Sequence, residues 1–69
     1  MKLRRILAQN LRRLRQDRDL TQEELADLAG IYRNYVGMIE REENAASIDV
    51  LERLAKALKV ESASLLVKP

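Results

Sequence analysis

Residues Thr21 to Arg41, TQEELADLAGIYRNYVGMIER, admit few arrangements, because they encode two short helices joined at a single glycine. Thr21 and Glu24 have the spacing of a capping box. The threonine oxygen accepts the Glu24 N–H, and the glutamate carboxylate reaches back to the Thr21 N–H. Leu25, Leu28 and Ala29 then recur at i, i+3 and i+4, which predicts one buried stripe with small Ala26 beside it. Gly30 ends this helix, since a residue without Cβ takes the left-handed conformation of a C-terminal cap at no steric cost. The chain restarts at once. Val36 and Ile39 are expected to point inward on the next helix, with Arg33, Asn34, Gly37, Met38 and Arg41 sharing its opposite face. Helices this short do not persist alone, so Ala26 and Gly30 are read as the residues that let the two approach closely and bend sharply.

The rest of the chain has to supply the partner for that pair. With 69 residues there is one domain, 1–69, and one small core. Cysteine and histidine are both absent, which excludes disulfides and nearly all zinc or iron sites and leaves self-association as the remaining aid to stability. The lack of cysteine fits a reducing, cytoplasmic setting. No apolar run approaches a membrane span, and no secretory leader is evident. The net charge of +2 hides an uneven distribution. Residues 1–20 carry Lys2, Arg4, Arg5, Arg12, Arg13, Arg15 and Arg18 against Asp17 and Asp19, whereas residues 21–69 carry six basic and nine acidic groups. A basic N-terminal segment suits a polyanionic partner, although a solvated helix face accounts for it equally.

Met1 to about Asp17 reads as the first helix, with Leu3, Leu7, Leu11 and Leu14 as its core stripe and Ile6 widening it. Asp19 is expected to close it in left-handed geometry, which aspartate tolerates better than most residues, and Leu20 to anchor the following turn. After the central pair, 42–46 form a loop. Ser47 caps a further helix with Asp49 in its first turn; Ile48, Leu51, Leu54, Ala55 and Leu58 are its predicted buried positions. Arg53, Lys56 and Lys59 are its wet ones. Ser62 is read as the cap of a last short helix containing Leu65 and Leu66. There are no strand patterns, repeats or low-complexity segments.

The central segment resembles the helix-turn-helix of the lambda-repressor-like (Cro/XRE-type) DNA-binding domains. Gln22 stands at the family's first helix-turn-helix position, Ala26 at its small-residue position and Gly30 at its turn. Val36 and Ile39 stand at its two buried positions in the recognition helix. The resemblance runs from about Leu11 to Leu66 and takes in LRRLRQ, IER and LERLAKALKVESASLL. It implies an all-α, five-helix domain that binds double-stranded DNA as a transcriptional regulator, with the helix-turn-helix at helices 2 and 3. It also implies that Arg15 pairs with Glu40 to tie the first helix to the third. The string RNYVGMIER is similar, more narrowly, to the RTYIS-IERG pattern of restriction–modification controller proteins. One departure stands out: Glu42 and Glu43 follow Arg41 where relatives carry glycine and then polar or basic residues.

Reading the major groove requires donors and acceptors on one exposed face near a helix start, while a neighbouring helix grips the backbone. Arg33, Asn34, Gly37 and Met38 are the candidate base-reading residues. Arg33 can fork onto guanine O6 and N7, and Asn34 can pair with the N6/N7 edge of adenine. Met38 offers apolar contact to a thymine methyl. Gly37 either permits close approach to the duplex or simply weakens the helix. Thr21, Gln22, Tyr35, Arg41 and Asn44 are the candidate backbone contacts. For Tyr35 the alternative is packing against the first helix; Tyr32 is expected to be partly exposed.

A homodimer on a two-fold-related operator is expected, with Val60, Leu65, Leu66 and Val67 as the dimer contact. The competing reading is a protein-interaction module or antitoxin on the same scaffold, favoured by Glu42 and Glu43. An enzyme is not expected. Histidine, cysteine and a glycine-rich phosphate loop are missing, and Glu23 and Glu24 are adjacent acids that suit a helix start. No cofactor, metal or small-molecule ligand is implied.

Overall fold

The computed structural model describes residues 2–69, in which α1 (Lys2–Asp17), α2 (Gln22–Ala29), α3 (Tyr35–Glu40) and α4 (Ile48–Leu58) are followed by a 3-10 turn, Ser62–Leu66. Among the described residues the fold is all-helical, with four α-helices rather than five. The expected fifth is too short for sustained i→i−4 bonding, and it tightens into 3-10 geometry, with the Ser64 N–H donating to the Glu61 carbonyl at 2.9 Å. Glu61, not Ser62, stands at its cap position and makes no side-chain cap bond. Met1, expected to open the first helix, lies outside the described residues. No helix among the described residues is long and apolar enough to cross a membrane.

The helix ends follow the local chemistry. Ser47 Oγ accepts the Val50 N–H at 3.1 Å and starts α4. Asp19 closes α1 at φ 54°, while the Leu20 N–H reaches the Arg15 carbonyl at 3.1 Å. Lys59 does the same for α4 at φ 59°, a role its sequence position did not announce. Glu42 follows α3 at φ 63°, and the Glu43 N–H bonds the Met38 carbonyl at 2.9 Å. The loop therefore keeps the backbone that a glycine would adopt freely, at about 1 kcal/mol of strain.

Leu7, Leu11 and Leu14 of α1, Leu25, Ala26 and Ala29 of α2, Val36 and Ile39 of α3, and Leu54, Ala55 and Leu58 of α4 close a single core with Leu65. Three predicted core residues are corrected. Leu3 is 49% exposed, Leu28 62% and Ile48 77%. At 100° per residue, Leu28 lies roughly a quarter-turn or more from the direction shared by Leu25, Ala26 and Ala29. Leu3 and Ile48 occupy first turns, where the stripe runs past the elements that cover it. Leu65 is completely buried, so it belongs to the core of one subunit rather than to a contact between two.

One polar residue shares that core. Asn10 is 1% exposed. Its amide nitrogen donates to the carbonyls of Leu65 at 2.9 Å and Val67 at 2.7 Å, and its oxygen accepts from Arg13 Nη2 at 3.2 Å. It bolts the end of the chain to α1. Replacing Asn10 with leucine keeps the bulk but leaves the Leu65 carbonyl without its donor. Urea unfolding is expected to show a loss of about 1–3 kcal/mol; unchanged stability would mean that the bolt is ornamental.

Candidate nucleic-acid interface

The interface candidates sit on a frame of short, well-capped elements. Thr21 Oγ1 accepts the Glu24 N–H at 3.0 Å and Glu24 Oε1 accepts the Thr21 N–H at 2.8 Å, completing the capping box. Gly30 takes φ 67° at the end of α2, and a Cβ there would also stand 3.2 Å from Arg53 Nη1. The chain then makes a further turn, with the Tyr35 N–H on the Tyr32 carbonyl at 2.9 Å, before α3 begins. Arg33 and Asn34 therefore precede the helix instead of lying on it. Tyr32 offers no side-chain cap, and the first bond into α3 runs from the Met38 N–H to the Asn34 carbonyl at 3.1 Å. Asn34 occupies the cap position, yet its side chain makes no cap bond and the residue is exposed, which leaves its amide donors and acceptor uncommitted to the cap.

At the far end of α3 lies a buried carboxylate. Glu40 is 4% exposed. Arg15 grips it with two donors, Nε to Oε2 at 2.8 Å and Nη2 to Oε1 at 3.1 Å. Gln22 Nε2 donates to Oε1 at 3.1 Å, and Arg12 approaches the same oxygen at 3.4 Å while its Nη2 binds the Glu40 carbonyl at 3.1 Å. Arg15 Nη1 also holds the Leu20 carbonyl at 2.7 Å. One carboxylate thus joins α1, α2 and α3. Burial by itself pushes the Glu40 carboxyl up, but the hydrogen bonds from Arg15 and Gln22, the Arg15 charge and the Arg12 bond outweigh it. The group is held below its ordinary value. The same contact holds the Arg15 guanidinium above its own ordinary value against the pull of burial.

Gly37 is buried, and this revises its expected place on the open face. Gln22 Oε1 and Arg41 Nη1 each stand 3.0 Å from the point a Cβ would occupy. Their side chains roof the glycine. Met38 is half-buried, whereas Thr21, Arg33, Asn34, Arg41 and Asn44 are exposed. Tyr35 is half-buried and packs against the core, and Tyr32 is exposed.

Three exposed arginines near this face, Arg33, Arg41 and Arg5, have carboxylate partners. Arg33 Nη2 lies 2.7 Å from Glu23 Oε2. Arg41 holds Glu43 with two bonds, at 2.8 and 3.3 Å, which lowers the Glu43 carboxyl from its ordinary value. Arg5 Nε lies 3.7 Å from Glu42 Oε1. The pairing of Glu23 with Arg33 had no sequence signal, since ten residues and a turn separate them. Asn10 did have one, a polar residue i+3 from Leu7 and i−4 from Leu14 on an apolar stripe. At the expected dimer contact, Val60 is half-buried on the core, Leu65 is inside it, and Leu66 and Val67 are exposed.

Residues 11–65 match the family described as helix-turn-helix. The control protein C.SmaI of Serratia marcescens is 40% identical over 68 residues, covering 99% of this chain and 81% of that protein. A hypothetical transcription factor of Neisseria meningitidis serogroup B is 39% identical over 67 residues, and this chain spans 63% of its length. Among solved structures, that Neisseria factor superposes with a TM-score of 0.94 over 97% of this chain and 77% of that one. The restriction–modification controller protein C.AhdI of Aeromonas hydrophila gives 0.88 at 38% identity, over 94% and 98%.

The Glu40 carboxylate generates an acid-stability signature. Its folded value lies below the unfolded one, so its contribution is complete above the ordinary carboxylate range near 4.3 and is lost as pH falls through the depressed value. Glu40→Gln is expected to cost about 3 kcal/mol at neutral pH, because Arg15 keeps its charge without a counter-charge. The variant should also have a flatter acid limb than wild type in pH-dependent unfolding. Parallel acid limbs would show that Glu40 carries no such linkage.

Proposed function

The chain belongs to the helix-turn-helix family of DNA-binding transcriptional regulators, and from that premise we propose that it reads a specific duplex sequence with the turn into α3. The observation that carries this reading is the exposure of Arg33 and Asn34 side by side at that turn, while Val36 and Ile39 pin the opposite side of α3 in the core. Arg33 forks onto a guanine and Asn34 pairs with an adenine. Met38, half-covered on the same side, meets a thymine methyl. Thr21, Gln22, Tyr35, Arg41 and Asn44 set the register by holding backbone, which positions the protein without specifying sequence.

Two copies on a two-fold-related operator would place half-sites about 34 Å apart, or at a multiple of that. Val60, Leu66 and Val67 are the surface for that contact, with Leu65 acting behind them as core. The proposed role is that of a repressor or controller without enzymatic activity, working in the cytoplasm. The rival reading as a protein-interaction module drew on Glu42 and Glu43. Glu43 is bound to Arg41 and Glu42 faces Arg5 at 3.7 Å, so neither acid is without a basic neighbour and the DNA-binding reading is preferred.

Selection from a random duplex pool tests the proposal. Two related half-sites are expected to enrich at that spacing, and a pool that never departs from random would count against it. In binding titrations, Arg33→Ala should flatten preference at one base pair of each half-site, by about 1–3 kcal/mol. Gln22→Ala should instead weaken every sequence to the same degree.

A further inference from the structure

We infer that Gly37 is a positioning residue for the backbone grip. Its missing side chain is what allows Gln22 of α2 and Arg41 at the end of α3 to converge into one phosphate-binding pair. The inference rests on the proposed backbone roles of Gln22 and Arg41 and assigns Gly37 a part that neither base reading nor helix weakening describes.

Gly37 lies in the middle of a six-residue helix, where glycine is unfavourable relative to alanine. Its φ is not in the left-handed region, so no backbone strain requires it. Its buried position excludes an open contact surface. What requires it is the space above its Cα. Gln22 Oε1 and Arg41 Nη1 both stand 3.0 Å from the ideal Cβ position, closer than such atoms normally pack against a methyl group.

Two side chains from different elements thus meet over one backbone atom. Gln22 is further fixed from behind, because its Nε2 donates to the buried Glu40 carboxylate at 3.1 Å. Arg41 is fixed from the side by Glu43 at 2.8 Å. Gln22 Oε1 is an acceptor, but Gln22 Nε2 keeps one N–H beyond the one given to Glu40, and the Arg41 guanidinium keeps donors beyond those on Glu43. These remaining donors suit a phosphodiester oxygen, which accepts charge-assisted bonds. A Cβ at 37 would push both tips outward. The shift needed is only a few tenths of an ångström at two side-chain tips and moves no backbone, so folding tolerates it. The grip on phosphate does not.

Gly37→Ala therefore separates stability from binding. Its unfolding temperature is expected to equal or exceed that of wild type, through the better helix propensity of alanine. Its affinity for duplex DNA is expected to fall about tenfold on every sequence, including a random duplex. The slope of log affinity against log salt should become shallower by about 0.9, the value for one lost phosphate contact. In a Gln22→Ala, Arg41→Ala background the same glycine change should have no further effect. Wild-type affinity in Gly37→Ala would overturn the inference. So would a loss confined to one base pair, which marks direct reading at 37, or a full tenfold loss that persists in the double-alanine background. Because the decisive readings use a random duplex, they stand even if wild type selects no preferred sequence, an outcome that would instead remove the proposed function.

Discussion

The Glu40 carboxylate is the constraint on which the rest of this molecule depends. A charge taken out of water is costly unless donors surround it, and here they come from two helices, Arg12 and Arg15 on α1 and Gln22 on α2, and converge on Glu40 at the end of α3. Neither α2 at eight residues nor α3 at six has enough length to be stable by propensity. Their mutual angle has to come from tertiary contacts. Apolar packing of Val36 and Ile39 fixes the depth of α3 but, being non-directional, not its orientation. Hydrogen bonds to one buried carboxylate do have direction. They set how the turn bearing Arg33 and Asn34 faces outward.

The same network changes the meaning of the basic first helix. Its excess of positive charge reads from sequence as an electrostatic invitation to a polyanion. In the folded chain Arg12 and Arg15 serve Glu40, Arg13 meets Asn10, Arg18 caps the Leu14 carbonyl at 3.0 Å, and Arg5 faces Glu42. Much of that charge is therefore structural. The acidic turn at Glu42 and Glu43, which looks hostile to a phosphate row, is in turn locally balanced by Arg5 and Arg41.

Much of this fold was legible in the chain itself because its signals are local. The capping box at Thr21, the left-handed Gly30 and Asp19, and the Ser47 cap all depend on residues within a few positions of one another. The stripes at Leu7, Leu11 and Leu14 and at Leu54, Ala55 and Leu58 follow from helical period alone. Leu3 and Ile48 share the right face but lie in first turns, because period tells which residues share a face and not where the covering elements stop. Leu28 is exposed for another reason, since the buried direction of α2 is set by Leu25, Ala26 and Ala29 and leaves it to one side.

Long-range polar contacts had no such signal. Nothing in the spacing of Arg12, Gln22 and Glu23 announces what each one touches, and only the family resemblance pointed to Arg15 with Glu40. The start of α3 was likewise placed too early, because an extra turn at 32–35 leaves no mark in a pattern of apolar residues. Gly37 was visible as an anomaly in a helix, but its reason lies in the tips of two side chains from elsewhere.

Backbone amide shift mapping of the labelled protein with its selected duplex tests the central claim most directly. If the Glu40 network aims the turn into α3 at the bases, the largest perturbations fall at 21–22, 33–38 and 41–44, and the exposed face of α4 stays silent. The largest perturbations on α4 or the 3-10 turn, with 33–38 unmoved, would contradict it.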